Sequence, residues 1–228
     1  MVKIKTNEKI VIFDMDGVLT DSEPAITQAS IESLSEWNVT AKHEDFKQFT
    51  GMGDDKFIGG VANIYGVEYD LDMKKRAYEI YVATARERVK VFNWSKSLIL
   101  KLKDVGYKLA IASASDLTKV NCNIECIGVD TSVFTAIVTG SDVTNKKPAP
   151  DIFLKASEKA GMTSVALDNT IVIEDALSGC QAAKSAGATC IAVTTSFSRD
   201  QLKAAGADYI TDDLNEAFDI IRSVLTVE

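Results

Sequence analysis

The chain has 228 residues, of which 46% are hydrophobic and 25% charged, as in an ordinary soluble globular protein. This length predicts one large domain, or one domain with a smaller insertion, and no run approaches the roughly 18 apolar residues of a membrane-spanning helix. Thirty-three acidic and 25 basic residues give a net charge of −8, which argues against a nucleic-acid partner.

The N-terminal residues and the cysteines predict the cellular compartment of the protein. Residues 1–8 contain no apolar stretch and no small-residue cleavage site of a secretory signal, so we expect a cytoplasmic protein with no membrane partner. The four cysteines form no C-x-x-C pair, and they indicate reduced thiols rather than zinc ligands. They are Cys122, Cys126, Cys180 and Cys190.

Apolar runs of strand length alternate with helical segments along most of the chain. Runs that are apolar on both faces are typical of a parallel sheet covered by helices on each side. The alternation therefore predicts an α/β fold with a doubly wound, Rossmann-like parallel sheet. The predicted strands are Ile10–Phe13, Leu109–Ala112, Ala136–Val138, Ile171–Ile173 and Cys190–Val193. Predicted helices begin near Leu117 (after Asp116), Pro150, Ala176 and Ser198.

Residues 21–92 interrupt this alternation. They contain apolar residues at helical spacing and no convincing strand, which predicts a helical cap inserted directly after the first strand. Residues 1–20 and 93–228 would then form the α/β core. Within the cap, the basic run Lys74–Arg76 is predicted to lie on the solvated face of a helix.

Acidic residues follow two of the predicted strands. Asp14 and Asp16 precede Gly17 after the first strand, and Glu174 and Asp175 follow a later one. Ligands of open α/β sheets bind beyond the carboxyl ends of the strands. If the two strands are neighbours, the carboxylates converge and need a cation, for which Mg²⁺ is suited by its preference for oxygen ligands. Taken singly, an ordinary turn or acidic helix capping explains each pair as well.

Two further motifs point to an anion. Ser113-Ala114-Ser115 follows a strand, and a hydroxyl with loop N–H groups near a helix start can hold phosphate oxygens. Lys147 precedes a proline and a predicted helix, where its ammonium could neutralise both a phosphate and the acidic cluster. Helix capping by Ser115 and a surface position for Lys147 are the alternative interpretations.

The four motifs occur in the order Asp-x-Asp, Ser, Lys, Glu-Asp, each at or shortly after a separate predicted strand. The segments Phe13–Leu19, Lys147–Phe153 and Val172–Gly179 closely resemble motifs of the haloacid dehalogenase superfamily. The resemblance is to its β-phosphoglucomutase-like and phosphatase branch with a helical cap, including the hydrolase module of plant suppressor-of-quenching proteins. It covers essentially the whole chain.

This resemblance implies a Mg²⁺-dependent hydrolase of a small phosphate monoester, such as a sugar phosphate, that forms an aspartyl-phosphate. Asp14 would be the nucleophile and Asp16 the general acid and base. Ser113, Ala114 and Lys147 would bind the transferring phosphoryl group, and Lys147 would also take part in catalysis. The implied metal ligands are Asp14, the Asp16 carbonyl, Glu174 and Asp175.

The resemblance also places substrate-facing residues in the cap and implies that the cap moves. We expect hinges near residues 20–24 and 91–94, which would let the cap close and exclude water. The implied partner is a small phosphorylated metabolite, and we expect a monomer. The substrate-facing residues are Glu23, Gly51, Gly53 and Asp54.

Four positions separate this chain from a sugar phosphomutase. Asp54 stands where β-phosphoglucomutase carries the arginine that holds the distal phosphate. Ile26 stands at the position of the hinge histidine, and Asp116 and Leu117 replace a lysine–asparagine pair. These changes favour a phosphatase, with a β-phosphoglucomutase-type mutase and a non-catalytic regulatory module on the same fold as the alternatives.

Overall fold

The computed structural model describes residues 9–49, 52–162 and 169–225. Residues 1–8 and the predicted substrate residue Gly51 lie outside the described residues. The strands are β1 Ile10–Phe13, β2 Thr20–Asp21, β3 Lys90–Val91, β4 Lys108–Ser113, β5 Ala136–Thr139, β6 Thr170–Glu174, β7 Thr189–Val193 and β8 Tyr209–Thr211. Six of them form one parallel sheet in the order β5-β4-β1-β6-β7-β8. This order confirms the predicted doubly wound fold.

Helices cover both faces of this sheet. The α-helices are α1 Glu23–Ser35, α2 His43–Phe46, α3 Asp54–Ile64, α4 Leu71–Arg88, α5 Ser95–Asp104, α6 Leu117–Ile127, α7 Asp151–Lys159, α8 Leu177–Ser185, α9 Arg199–Ala204 and α10 Ala217–Val224. Alternate residues of β1 enter two different apolar clusters, with Val11 and Phe13 on one side and Ile10 and Ile12 on the other. This packing explains why the strand is apolar throughout. In the part of the chain described, no helix is long and apolar enough to cross a membrane.

The predicted strands agree with the observed ones to within one residue at each end. β8 has no counterpart among the predictions because it is short and its first residue, Tyr209, is exposed. Ser198 caps α9 as predicted, since its hydroxyl accepts a hydrogen bond from the backbone of Gln201. Asp116 occupies the N-cap position of α6, but its side chain makes no capping hydrogen bond.

Helices α1 to α4 (residues 23–88, here the helical insertion) form a separate apolar cluster, which Cys122 and Cys126 of α6 join. The chain enters and leaves the insertion through β2 and β3, which pair antiparallel with Thr20 opposite Val91. β2 lies in the predicted hinge segment 20–24 and β3 reaches the predicted segment 91–94 at Val91, so the two segments are paired at their edges. The domain boundaries at 21 and 92 stay a prediction.

The insertion is held against helix α6 by buried polar contacts. The Tyr81 hydroxyl donates to Asn123 Oδ1, and Asn123 Nδ2 donates to Thr20 Oγ1 at 3.2 Å. Lys74 forms ion pairs with Asp116 at 3.0 Å and with Asp55 at 2.8 Å. The predicted solvated face is confirmed for Lys75 and Arg76, whose side chains are 70% and 42% exposed. It was wrong for Lys74, whose side chain is 16% exposed and bridges the insertion and the core.

Replacing Tyr81 by phenylalanine should lower the free energy of unfolding by about 1–3 kcal/mol, because it leaves Asn123 Oδ1 buried without its donor. Urea unfolding monitored by circular dichroism measures this change. Tyr65→Phe is the matched control, since the Tyr65 hydroxyl donates to Asp45 at an exposed position. Equal effects of the two substitutions would contradict the assigned role of the Tyr81 hydroxyl.

Candidate active site

The sheet brings the two acidic pairs together. Strands β1 and β6 are neighbours, with Phe13 opposite Ile173, and the Asp14 N–H donates to the Ile173 carbonyl at 2.9 Å. Asp14 therefore lies beside Glu174 at the carboxyl end of the sheet. Asp14, Glu174 and Asp175 are all buried, Glu174 completely.

Lys147 lies between two of these acids. Its Nζ is 2.5 Å from Asp14 Oδ1 and 2.5 Å from Glu174 Oε1, and it donates to the Ala112 carbonyl at 3.3 Å. Its side chain is only 10% exposed. The alternative of a surface lysine is therefore wrong, and the ammonium contacts two acids of the cluster.

One ammonium does not balance three carboxylates. Burial, together with the charges of Glu174 and Asp16, raises the pKa of Asp14 to about 7 against the opposing charge of Lys147. Burial, then the charges of Glu174 and Asp14, raise the pKa of Asp175 well above its usual range. The mutual repulsion of these groups means that the cluster is short of positive charge.

A divalent cation fits the chemistry of this donor set. Buried carboxylate oxygens that repel one another are stabilised by a hard cation such as Mg²⁺. Within the described ranges, no three acidic, histidine or cysteine side chains are already arranged around one point as ligands. Lys147 lies between Asp14 and Glu174, and Asp175 Oδ2 accepts from the Ser196 hydroxyl. Metal ligation by Asp14, Asp16, Glu174 and Asp175 stays a prediction.

Glu174 has a structural role as well. Its Oε2 accepts hydrogen bonds from the backbone N–H groups of Asp175 at 3.0 Å and Ala176 at 3.1 Å, just before helix α8. The N-cap residue of α8 is Ala176, with no side-chain capping hydrogen bond, so Glu174 fixes the loop before the helix and the helix-capping interpretation was wrong for this residue. Its other oxygen, Oε1, contacts Lys147.

Two glycines allow the close packing of the cluster. Gly17 has φ +82°, and a Cβ there would lie 1.9 Å from Asp175 Oδ2. A Cβ on Gly179 would lie 1.9 Å from Glu174 Cδ. Both positions exclude any side chain, so the backbone lies directly against the two carboxylates.

Asp16 contacts a different set of residues. It accepts from the Ser22 hydroxyl and, at 2.9 Å, from the Ser115 hydroxyl, and its Oδ1 is 3.1 Å from Lys119 Nζ. Burial opposes ionisation, but the charge of Lys119 and the two hydroxyl donors hold the pKa of Asp16 below its usual value. Asp16 is therefore held as a carboxylate between the hinge and the start of helix α6.

The Ser-Ala-Ser loop lies at the end of β4, next to β1. Ser113 is buried, and its hydroxyl oxygen accepts from the Ser115 N–H at 3.2 Å. Ala114 is approached closely by the chain after β5, since a Cβ on Gly140 would lie 2.3 Å from the Ala114 carbonyl oxygen. The loop is thus fixed beside Asp14, while phosphate binding by Ser113 and Ala114 stays a prediction.

The predicted cap residues lie at helix starts. Glu23 is the exposed first residue of α1, Gly53 precedes α3 with φ +87°, and Asp54 begins α3. The Tyr78 hydroxyl donates to Asp54 Oδ2 at 2.5 Å. Burial raises the pKa of Asp54, and the charge of Lys119 opposes this rise. Their role in binding a substrate stays a prediction.

Three residues of the site, Lys119, Ser22 and Ser196, were not predicted from the sequence. Lys119 lies four residues after Ser115, a spacing that places the two on one side of a helix start, but an isolated lysine in a helix normally indicates a solvated position. Ser22 and Ser196 carried no signal, because their contacts to Asp16 and Asp175 depend on the tertiary fold.

Comparison with known proteins gives matches along nearly the whole chain. The sequence pattern described as haloacid dehalogenase-like hydrolase matches residues 11–193. The chain is 41% identical over 220 residues to Protein SUPPRESSOR OF QUENCHING 1, chloroplastic, from Arabidopsis thaliana. That match covers 95% of this chain but 20% of the Arabidopsis protein. It is 28% identical to the Phosphorylated carbohydrates phosphatase of Thermotoga maritima, over 78% of this chain and 81% of that protein.

Solved structures give the same result. CbbY from Rhodobacter sphaeroides in complex with phosphate superposes with a TM-score of 0.78 and 26% identity, covering 92% of this chain and 96% of that one. A CbbY mutant in complex with xylulose-(1,5)bisphosphate gives a TM-score of 0.78 and 25% identity over the same shares. These matches confirm the resemblance drawn from the motifs.

Proposed function

This chain belongs to the haloacid dehalogenase-like hydrolase family, and on that premise we propose that it is a phosphatase acting on a small phosphate monoester, such as a sugar phosphate. The observation that carries the proposal is the buried contact of Lys147 with both Asp14 and Glu174. A nucleophilic carboxylate, an ammonium and further acids at the carboxyl end of a parallel sheet suit phosphoryl transfer.

Asp14 is the proposed nucleophile. Its carboxylate attacks the phosphorus atom, the bond from phosphorus to the leaving-group oxygen breaks, and an aspartyl-phosphate forms. Water then attacks the same phosphorus and releases inorganic phosphate with free Asp14. The position of Asp14 directly after the central strand β1 supports this role.

Mg²⁺ is the proposed cofactor, held by Asp14, the Asp16 carbonyl, Glu174 and Asp175. When bound, it offsets the repulsion between an attacking carboxylate and a phosphate dianion. Its positive charge also meets the need of the acidic cluster, in which the pKa of Asp14 is raised to about 7 by burial and by neighbouring acids.

Asp16 is the proposed general acid and base. Because Asp16 rests as a carboxylate, it must first take up a proton, which it gives to the leaving-group oxygen; it then takes one back from the attacking water. Ser113, the Ala114 N–H and Lys147 are the proposed ligands of the transferring phosphoryl group, whose equatorial oxygens they stabilise. Burial of Ser113 and Lys147 strengthens such contacts, because the local dielectric is low.

A phosphatase is favoured over a mutase by the environment of Asp54. A mutase must hold a second phosphate in the cap, whereas Asp54 presents a carboxyl group hydrogen-bonded by Tyr78. A coupled assay with β-glucose 1-phosphate and a bisphosphate primer separates the two activities. Efficient formation of glucose 6-phosphate without phosphate release would favour the mutase.

A panel of phosphate monoesters, ranked by kcat/KM with MgCl₂ and again with EDTA, tests the proposed function. We expect release of inorganic phosphate that is lost with EDTA and restored by excess Mg²⁺. Failure to hydrolyse any member of the panel, while Mg²⁺ still raises the melting temperature, would instead support a non-catalytic module.

Asp16→Asn should lower kcat by about 10²–10⁴-fold, because it removes the proton donor and acceptor of both half-reactions. Affinity for Mg²⁺ should change by no more than a few-fold, since the proposed ligand at this position is the backbone carbonyl. Intrinsic fluorescence titration with MgCl₂ measures the affinity. Loss of Mg²⁺ binding in this variant would contradict the division of roles between side chain and carbonyl.

A further inference from the structure

Lys119 is a buried cation that the proposed reaction does not use. Its residue is 4% exposed, and its Nζ lies 3.1 Å from both Asp16 Oδ1 and the Ser115 hydroxyl oxygen. It is the third residue of helix α6, where the positive end of the helix dipole disfavours a cation. Burial also disfavours its charge, so the acids around it must keep it protonated.

These acids come from three different parts of the fold. Asp16 belongs to the core loop, Glu23 to the start of α1 and Asp54 to the start of α3. The charges of all three act on Lys119. Lys119 pairs directly with Asp16, which accepts from Ser22 of the predicted hinge, and helix α6 packs against α4 of the insertion. Lys119 therefore lies where the core, the hinge and the helical insertion meet.

This meeting point is next to the leaving-group oxygen of the proposed reaction, because Asp16 is the residue that protonates that oxygen. On the insertion side, Asp54 at the start of α3 accepts from Tyr78 of α4, the helix that packs against α6. Resting on the proposed function, we propose that Lys119 and Asp54 form a leaving-group subsite that selects a neutral, hydroxyl-bearing group, so that sugar monophosphates are preferred to bisphosphates.

The charges support this selectivity. The charges of three carboxyl groups act on one ammonium, and Lys119 is already paired with Asp16. A second phosphate placed here would face Asp54 as an anion or force a proton onto it, and both cost free energy. A hydroxyl group can donate to the Asp54 carboxylate and accept from the Lys119 ammonium, so it leaves neither partner unsatisfied.

Lys74 does not supply a second free cation for this subsite. Its ammonium is engaged by Asp55 and Asp116, at 2.8 and 3.0 Å. CbbY, by contrast, has been crystallised as a mutant with xylulose-(1,5)bisphosphate. This chain would therefore differ from that relative in the leaving group it accepts.

Fructose 6-phosphate and fructose 1,6-bisphosphate are the test pair, because they differ only in the second phosphate. We expect the wild-type kcat/KM to favour the monophosphate by about tenfold or more, and Asp54→Asn to reduce this ratio by about tenfold. Asp55→Asn is the matched control, since it removes the neighbouring acid, which is exposed and paired with Lys74. It should leave the ratio unchanged within twofold.

Lys119→Met provides the second variant. The kinetic constants of each variant for the sugar phosphates are divided by its constants for p-nitrophenyl phosphate, which lacks sugar hydroxyls. A general loss of activity then cancels. Lys119→Met should raise KM for fructose 6-phosphate relative to p-nitrophenyl phosphate by about tenfold, whereas a purely structural counter-ion would change both substrates equally.

The outcomes separate the subsite from the proposed function. Hydrolysis of both sugars with a ratio near one, or equal effects of Asp54→Asn and Asp55→Asn, would overturn the subsite while leaving the phosphatase intact. If neither sugar phosphate is hydrolysed, calorimetry in MgCl₂ measures how tightly each one binds. Tighter binding of the monophosphate would support the subsite, and tighter binding of the bisphosphate would overturn it.

Discussion

Asp14→Asn is expected to lower kcat for p-nitrophenyl phosphate in MgCl₂ by at least about a thousandfold, because the amide cannot form the acyl phosphate. The protein should nevertheless stay folded. The Asn side chain removes one charge from an acidic cluster, and Lys147 keeps its contact with Glu174. Steady-state kinetics and urea unfolding on the same preparation measure both effects.

The pH dependence of stability adds a second readout for Asp14. The pKa of Asp14 is raised to about 7 in the folded protein, from 3.8. A group whose folded pKa is raised stabilises the protein below the unfolded pKa, and this contribution is lost as pH rises from about 4 to about 7. In EDTA, wild type should therefore lose more stability across this range than Asp14→Asn does.

Asp212→Asn is the control for Asp14→Asn, because Asp212 is an exposed acid of the core paired with Arg199 at 2.9 Å. The activity of Asp212→Asn should lie within twofold of wild type, because an exposed ion pair contributes little. Retention of more than a few per cent of activity by Asp14→Asn would contradict the nucleophile assignment.

Lys147→Met is expected to lower kcat/KM by at least about a hundredfold, because it removes the ammonium that binds the phosphoryl group. It should also lower the free energy of unfolding by about 3–5 kcal/mol in EDTA, because buried carboxylates then lack their counter-ion. MgCl₂ should restore part of this loss and should stabilise the variant more than it stabilises wild type.

Lys146→Met is the matched control, since the neighbouring Lys146 ammonium donates to the carbonyls of Gly140 and Val143 rather than to the acidic cluster. Unfolding curves are measured for Lys147→Met and Lys146→Met, each in MgCl₂ and in EDTA, and are compared with those of wild type. If Mg²⁺ stabilised Lys147→Met no more than wild type, the cluster would not be the site of a divalent cation.

The parallel sheet was predictable because its strands are buried on both faces. In β1, alternate side chains enter opposite apolar clusters, so the whole strand reads as a continuous apolar run. The edge strand β8 lacks this signal, since Tyr209 is exposed, and the two-residue strands β2 and β3 are too short for any periodicity. Burial on both faces thus decided which strands could be predicted.

The acidic cluster was predictable for a related reason. Residues that follow neighbouring parallel strands share one edge of the sheet, so Asp14 and Glu174 had to be close once β1 and β6 were adjacent. The role of Lys147 came from the order of the motifs, because a single lysine before a proline indicates nothing by itself. Its contacts with both acids are visible only in the fold.

Contacts between the helical insertion and the core could not be predicted. Lys74 belongs to a basic run that indicates a solvated position, yet it pairs with Asp116 of the core. Lys119 reads as one lysine of an ordinary helix, yet it contacts Asp16. Helical periodicity reports which face of a helix is apolar, but it carries no information on which charged residues of distant segments meet.

The central claim is that Asp14 becomes transiently phosphorylated. Rapid mixing with a saturating phosphate monoester and MgCl₂, followed by acid quenching and peptide mass spectrometry, measures this directly. We predict that the peptide containing Asp14 gains the mass of one phosphoryl group at Asp14, and that the gain disappears with EDTA and in Asp14→Asn. Turnover of the substrate with no phosphorylation at Asp14, or with the phosphoryl group on another residue, would contradict the account.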